Sequence, residues 1–355
     1  MDDVALYAGY LHREGKTLKL VSINIVNWNG LRFLGDCLES IKSQTYDNIE
    51  VNIIDNHSTD GSVEWLEKEY PEVRLVRNGV NEGFSRAHNQ ATRISSGEYI
   101  LPLNFDIILN PQFVAEMVKA IEVAPDIGIV SGNLYALRQG EDRKIIDSTG
   151  VTIKGMFPAD RGQNQLDHGQ YHEIEYVFGA SGAAPLYRRT MLEEVALNGE
   201  NFDEDYYIYV EDVDLCWRAQ LYGWKALYTP WAVAFHKRGA TREKSAGMGR
   251  EYILLGHRNR YWSIIKNAIL TNLLRNMLWI LIVELRFYVG HLLGGNYFIF
   301  RILPMVMKGL PRMLRKRKEI QKRRKVCAGY MERFFFGDIR PMAKKYIVGV
   351  LQRKG

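Results

Sequence analysis

The sequence predicts an α/β fold, a mainly parallel sheet with flanking helices, followed by a C-terminal α-helical region of different character. Three observations lead there. Strand-like and helix-like stretches alternate four times between Leu18 and Val123, polar residues gather where the strand-like stretches end, and beyond about Gly247 aromatic-rich Leu/Ile helices precede a basic run. With 355 residues, 46% of them apolar, the chain can bury a full core in one large domain or two ordinary ones.

The first strand is expected in Leu18 to Trp28, a β-branched run that ends in turn chemistry at Asn27-Trp28-Asn29-Gly30; Leu31 to Gln44 then reads as a helix. Glu50 to Asp55 precedes a helix over Ser62 to Tyr70, and Val73 to Val76 precedes one over Phe84 to Ile94. Tyr99 to Leu103 precedes a fourth, Pro111 to Val123. Ligands of such sheets bind beyond the carboxyl ends of the strands. Asn27 and Trp28, Asp55 and Asn56, Arg77 to Asn81, and Asn104 with Asp106 all fall at those ends.

A Gly-rich dinucleotide fingerprint and a Walker A loop are both missing, which argues against a dehydrogenase or a P-loop enzyme. Asp55 and Trp28 still offer a carboxylate that accepts from a pyrimidine N3–H and an aromatic ring for the base. The plainer reading of Asp55 to Asp60 is an Asx turn leading into a capped helix. Asp106 follows an apolar strand, where a carboxylate needs a partner; Mg2+ or Mn2+ bridging it to a diphosphate would supply one. A turn-forming Asn104/Asp106 pair is the alternative.

The densest chemistry lies in Phe202 to Arg218, where Asp203, Glu204, Asp205, Glu211, Asp212 and Asp214 crowd together behind aromatics. Mutually repelling carboxylates persist where a cation, a sugar hydroxyl or a proton needs them, or as an acidic helix start favoured by the helix dipole. Tyr206, Tyr207, Tyr209 and Trp217 offer a sugar platform or, alternatively, core.

Six segments together resemble the family 2 glycosyltransferases of GT-A fold, most closely their bacterial rhamnosyltransferase-like branch. They are Val26-Asn-Trp-Asn-Gly30, Asp55-Asn-His-Ser-Thr-Asp-Gly-Ser62, Asn81-Glu-Gly-Phe-Ser-Arg-Ala-His-Asn89, Asn104-Phe-Asp106, Glu211-Asp-Val-Asp-Leu-Cys-Trp-Arg218 and His236-Lys-Arg-Gly-Ala-Thr241. The resemblance spans roughly Leu18 to Arg242 and implies a GT-A catalytic domain over residues 18–246, after an N-terminal extension of residues 1–17. It implies that Asp55 contacts the nucleobase, that Asp106 is the metal-bound end of a D-x-D-type motif whose first acid is here Asn104, and that His236 completes the metal shell. Asp212 is then the general base of an inverting transfer. Asn27, Trp28, Asn56, Asn81, Asn89 and Asn104 are expected on the donor side, and Glu211, Asp214, Tyr209 and Trp217 on the acceptor side. The implied donor is dTDP-rhamnose or a UDP-sugar, with a lipid-linked or polysaccharide acceptor. A non-catalytic scaffold of the same fold is the alternative.

Residues 247–355 are expected to form the helical, amphipathic and basic region. The longest unbroken apolar run there, Met277 to Val283, is too short to span a bilayer, and Lys266, Arg275, Glu284 and Arg286 interrupt the longer pattern. Between Lys308 and Lys325 ten basic residues face one acid, Glu319, a local charge of +9; with +6 for the whole chain, the remainder carries −3. Amphipathic helices beside such a run are expected to dock on an anionic membrane surface, the alternative being a helical bundle with a solvated tail. A nucleic-acid footprint fits less well, because the aromatics do not interleave with the charge. Cys37, Cys216 and Cys327 form neither a disulfide framework nor a zinc motif, and Met1 to Tyr10 lacks a secretory pattern, so a cytoplasmic location at the inner membrane face is expected.

Overall fold

The computed structural model describes residues 18–137, 144–238 and 249–336; the expected N-terminal extension and the 246/247 boundary lie outside them. Strands β1 (Val21–Asn27), β2 (Ile49–Asp55), β3 (Arg74–Arg77) and β4 (Tyr99–Leu103) pair in parallel in the order β4-β1-β2-β3. Helices α1 (Leu31–Lys42) and α2 (Ser62–Glu69) bury Leu34, Leu38, Ile41 and Leu66 with Val21, Ile23 and Ile25 of β1. Helix α3 (Gly83–Ile94) packs Ala87 and Ala91 on Ile54 in a separate cluster. Both faces of β1 are buried, Val21, Ile23 and Ile25 on one and the polar Ser22 and Asn24 on the other, as in a parallel strand covered on both sides.

The second half of the sheet is not purely parallel. After β5 (Ile107–Leu109) and α4 (Phe113–Ile121), β6 (Ile127–Ala136) pairs in parallel with β12 (Lys225–His236), while β11 (Leu186–Arg188) runs antiparallel between β4 and β6. Strands β7 (Ile145–Ser148) and β10 (Glu175–Val177) add antiparallel partners to β6 and β12, giving ten strands in the sheet among the described residues. A small hairpin, β8 (Val151–Lys154) and β9 (Phe157–Asp160), lies beside it. β12 pairs with β5 so that His236 stands opposite Ile107, next to Asp106. Helices α5 (Arg189–Val195) and α6 (Glu211–Leu221) complete this half.

Four helices follow: α7 (Gly249–Asn267), α8 (Leu270–Leu293), α9 (Ile302–Arg323) and α10 (Ala328–Phe336). They share a core with the sheet domain, because Ile264, Ile269, Ile320, Met331 and Phe335 are buried in one cluster with Phe202, Leu215, Trp217 and Tyr222. Part of the expected basic run is engaged by the protein itself, while Lys308, Arg315, Lys318 and Lys322 stay exposed. Lys316 binds Asp203 (2.5 Å) and Asp205 (3.0 Å), Arg312 reaches Asp205 (3.2 Å), and Lys325 reaches Glu194 (2.6 Å). Arg317 donates to the carbonyls of Ile265 and Ala268, and Arg323 to that of Ala196. Guanidinium groups at helix ends satisfy carbonyls that have no intrahelical partner.

α8 corrects the expectation drawn from apolar run length. By length and composition this 24-residue helix is long and apolar enough to cross a membrane. Three of its polar residues face the protein, since Asn272 and Asn276 are buried and Glu284 pairs with Arg260 and Tyr261, whereas Arg275 and Arg286 are exposed. Most of its exposed surface is apolar, with Leu270, Leu274, Leu278, Leu281, Leu285 and Leu293 at 57–83% exposure. Three- and four-residue spacing joins them into one stripe that a count of consecutive apolar residues misses.

Candidate active site

Asn27 and Asp55 end adjacent parallel strands in register. The buried Asp55 carboxylate accepts from Asn27 Nδ2 (2.8 Å) and from the Ser58 backbone N–H (3.0 Å). Gly30 is required beside them, since a Cβ there would lie 2.4 Å from Asn27 Oδ1 and 2.9 Å from the Phe105 ring. Trp28 is half-buried next to this turn. Three other residues expected on the donor side hold backbone. Asn56, fully buried, bridges Asn81 (2.9 Å), the Gly83 carbonyl (3.2 Å), Asn78 (3.0 Å) and the Glu82 N–H (3.0 Å). Asn81 also accepts from the Gly83 N–H (2.9 Å). Asn89 is a correction: it is buried, and its amide exchanges two hydrogen bonds with the Phe202 backbone (2.8 and 3.0 Å), tying α3 to the acidic loop.

Asp106 and His236 meet. Asp106 Oδ1 lies 3.3 Å from His236 Nε2, and the other ring nitrogen, Nδ1, lies 2.8 Å from Asp147 Oδ2. Arg238 pairs with Asp147 and with Asp160 (3.2 Å), so five charged groups form a chain. Burial works against a charged imidazole, but hydrogen bonds to Asp106 and Asp147 outweigh it and lift His236 to about 9. A carboxylate oxygen and an imidazole nitrogen suit Mn2+ or a similar divalent ion, and Asp147 is placed as the carboxylate that orients a ligating histidine. The pair therefore fits a metal as two of its ligands; among the described residues no cluster of three or more His, Cys, Asp or Glu offers a complete shell. The remaining positions suit diphosphate oxygens and water.

Asn104 is partly exposed, and its backbone N–H donates to the Ala183 carbonyl (2.9 Å). One residue earlier, the Gly182 N–H donates to Asp212 Oδ2 (2.7 Å), while the Val213 N–H donates to Oδ1 (2.7 Å). The segment around Gly182 thus joins the end of β4 to the start of α6. Burial raises Asp212 to about 6 against the two N–H bonds, and the charge of Asp160 adds to the rise. Its neighbour Glu211 is buried, held well above the usual carboxylate range by desolvation and by Asp212, and its Oε2 lacks a hydrogen-bond partner among the described residues. Of the two, Asp212 is the carboxylate with an accessible edge and a pKa suited to accepting a proton near neutrality.

The rest of the acidic cluster is structural. Asp214 and Trp217 have no exposed surface to offer an acceptor: Asp214 is paired with Arg218 (3.0 Å) and Lys266 (2.9 Å), and Trp217 packs edge-on against Phe178 and Phe335. Asp203 is buried between Lys266 and Lys316, which hold its carboxyl below the usual range despite burial. Tyr209 is 40% exposed in the loop before α6 and contacts Tyr252 edge-on. Sequence reading passed over Gly182, Asp147, Asp160 and Arg238, which sit on short strands and loops without periodic signal.

Residues 22–195 match the profile of the family described as Glycosyl transferase family 2. Over 251 residues the chain is 27% identical to N-acetylglucosaminyl-diphospho-decaprenol L-rhamnosyltransferase of Mycobacterium tuberculosis, covering 63% of this chain and 80% of that protein. It is 29% identical over 251 residues to the protein y4gI of Sinorhizobium fredii, covering 65% of this chain and about a quarter (26%) of that much longer protein. Among solved structures, GalNAc-T7 with UDP, GalNAc and Mn2+ aligns at a TM-score of 0.51 and 16% identity, covering 70% of this chain and 51% of that one. Residues 22–195 are a glycosyltransferase family 2 domain, and the mixed sheet of the chain is a GT-A fold.

Proposed function

We propose that the protein is an inverting glycosyltransferase that moves a sugar from a nucleoside diphosphate to a hydroxyl of a lipid-linked or polysaccharide acceptor. The observation that carries this is Asp212: a partly open carboxylate, pushed up to about 6, fixed by the Gly182 N–H on a segment bonded to the β4 end that carries Asp106. Asp55 accepts from the pyrimidine N–H, with Trp28 against the base. Asp106 and His236 would hold a divalent ion, which when bound would offset the negative charge that grows on the leaving diphosphate. Asp212 takes the acceptor hydroxyl proton as that oxygen bonds to the anomeric carbon and the bond to the diphosphate breaks. A single displacement inverts the configuration. Rhamnose is the favoured sugar, on the likeness to the mycobacterial rhamnosyltransferase, and the lipid-linked acceptor follows from the same likeness, N-acetylglucosaminyl-diphospho-decaprenol being that relative's acceptor. Mn2+ is found in the GalNAc-T7 structure, and Mg2+ suits the same oxygen-rich site.

Membrane association is part of the same proposal. The apolar stripe of α8 continues in Tyr297, Phe300, Leu303 and Met307, which are 53–64% exposed, and Lys308, Arg315 and Lys318 are exposed on α9. Such a surface matches an anionic bilayer interface at the cytoplasmic face. Calorimetric titration of dTDP, UDP, GDP and CMP, each with and without Mn2+ or Mg2+, tests the donor half on wild type and Asp106→Ala. Metal-dependent binding of one pyrimidine diphosphate, lost in the variant, is expected; binding of none defeats the reading.

A further inference from the structure

The transfer needs Asp212 fixed at the start of α6, yet the residues in front of α6 hold backbone conformations that their side chains oppose. Tyr207 has φ 67° and ψ −62°, and the Ile208 N–H donates to the Tyr206 carbonyl at 2.8 Å, a γ-turn of the rare, strained hand. Tyr209 (φ 70°) and Val210 (φ 69°) are both left-handed, which for a β-branched residue is a true outlier. Val210 is also the residue that caps α6, and no side chain caps that helix start. Strain of this kind survives only where surrounding structure imposes it.

The imposing group comes from α7. Asn259 is fully buried, and its Nδ2 lies 3.0 Å from the Tyr206 carbonyl, 2.9 Å from that of Ile208 and 2.8 Å from that of Tyr209. Arg258 donates to Asn259 Oδ1 through Nη2 (2.8 Å) and Nε (3.0 Å), which turns the amide nitrogen toward the loop. The same guanidinium donates to the carbonyls of Asp205 and Tyr206, each at 3.1 Å. On the opposite side the Tyr207 carbonyl accepts from the N–H groups of Phe84 (2.7 Å) and Ser85 (3.2 Å) at the start of α3. The Tyr207 ring covers Gly83, where a Cβ would lie 2.4 Å from it. Two side chains of α7 thus hold four carbonyls of one loop whose end sets the direction of α6.

We propose that Asn259 is a positioning residue for Asp212: its amide imposes the strained course of residues 206–210, and that course aims the Asp212 carboxylate at the Gly182 N–H. The inference rests on Asp212 serving as general base. Without the amide, Tyr207 and Val210 relax toward negative φ, the first turn of α6 rotates, and the base leaves its place while the nucleotide end of the site is untouched. The C-terminal helices then complete the catalytic geometry and are more than an attachment to a surface.

The test uses the full chain with the nucleotide sugar that the titration identifies, reading transfer or, without acceptor, donor hydrolysis. In Asn259→Ala, kcat is expected to fall about a hundredfold, the effect of misplacing a reacting group by an ångström, with diphosphate Kd within about twofold of wild type. Adding Val210→Gly, which takes the left-handed conformation at no steric cost, is expected to recover at least about threefold of the loss. A kcat within about twofold of wild type, or no recovery with Val210→Gly, overturns the proposal. If Asn259→Ala does not fold, Arg258→Met serves: the side chain is half-buried, a selective kcat loss supports the proposal, and an unchanged kcat overturns it. A wild type that binds no nucleotide defeats the transferase reading and this one together; an active wild type with an unaffected Asn259→Ala defeats only this one.

Discussion

Lys266 of α7 lies 2.9 Å from Asp214 of α6, and both side chains are wholly withdrawn from solvent. The same ammonium pairs with the buried Asp203, so one cation from the C-terminal helices is shared by two carboxylates beside the start of α6. This arrangement ties the C-terminal helices to the sheet domain through buried charge, with Arg218 as the second partner of Asp214 and Lys316 as the second partner of Asp203.

Lys266→Met is therefore expected to destabilise the protein by about 3–5 kcal/mol, because it removes a buried cation shared by two carboxylates and leaves Asp214 with Arg218 and Asp203 with Lys316 as the remaining cations. The Tm in thermal unfolding checks this, and a Tm equal to wild type would refute it. Loss of the C-terminal helices should be equally damaging to the sheet domain.

Asp212→Asn is expected to lower turnover by about a hundred- to ten-thousand-fold while donor binding is kept, as removal of a general base does. Single-turnover kinetics beside calorimetry separate the two. Loss of binding instead would move Asp212 from the base to the donor site.

Turnover should also fall with pH through the Asp212 carboxyl. Its folded pKa is raised to about 6, so the acid form, which cannot accept a proton, grows below that value. At pH 5 about a tenth of the maximal kcat is expected. A rate that is flat between pH 5 and 7 contradicts the assignment.

Asp147→Asn tests the orientation of His236. The variant retains the hydrogen-bond reach but loses the charge that orients the ring, and Mn2+ affinity is expected to fall about 10- to 100-fold, measured by calorimetry with the nucleotide present. An unchanged affinity would remove His236 from the metal site.

Leu278→Glu with Leu285→Glu places charge on the exposed stripe of α8, where both side chains are more than 60% exposed. Binding to vesicles containing anionic lipid is expected to drop sharply with no change in Tm, because neither residue is buried. Wild-type indifference to vesicles would assign the stripe to a protein partner.

The sequence by itself determined the alternating strand-helix order and the strand ends that carry Asp55 and Asp106, because both are written in local periodicity and turn chemistry. It also singled out Asp212 and His236, through the resemblance to the family 2 glycosyltransferases. Only the tertiary structure separated the members of one acidic run that are locked in buried ion pairs, Asp203 and Asp214, from Asp212, which keeps an open edge. Asp212 meets Gly182 from 30 positions away, whereas Asp203 and Asp214 meet Lys266 from more than 50 away, and pairing at such separation leaves no local trace. The direction of the basic run and of α8 was likewise invisible. A count of charges or of consecutive apolar residues does not say which face of a helix turns inward, and that is settled by what the helix packs against.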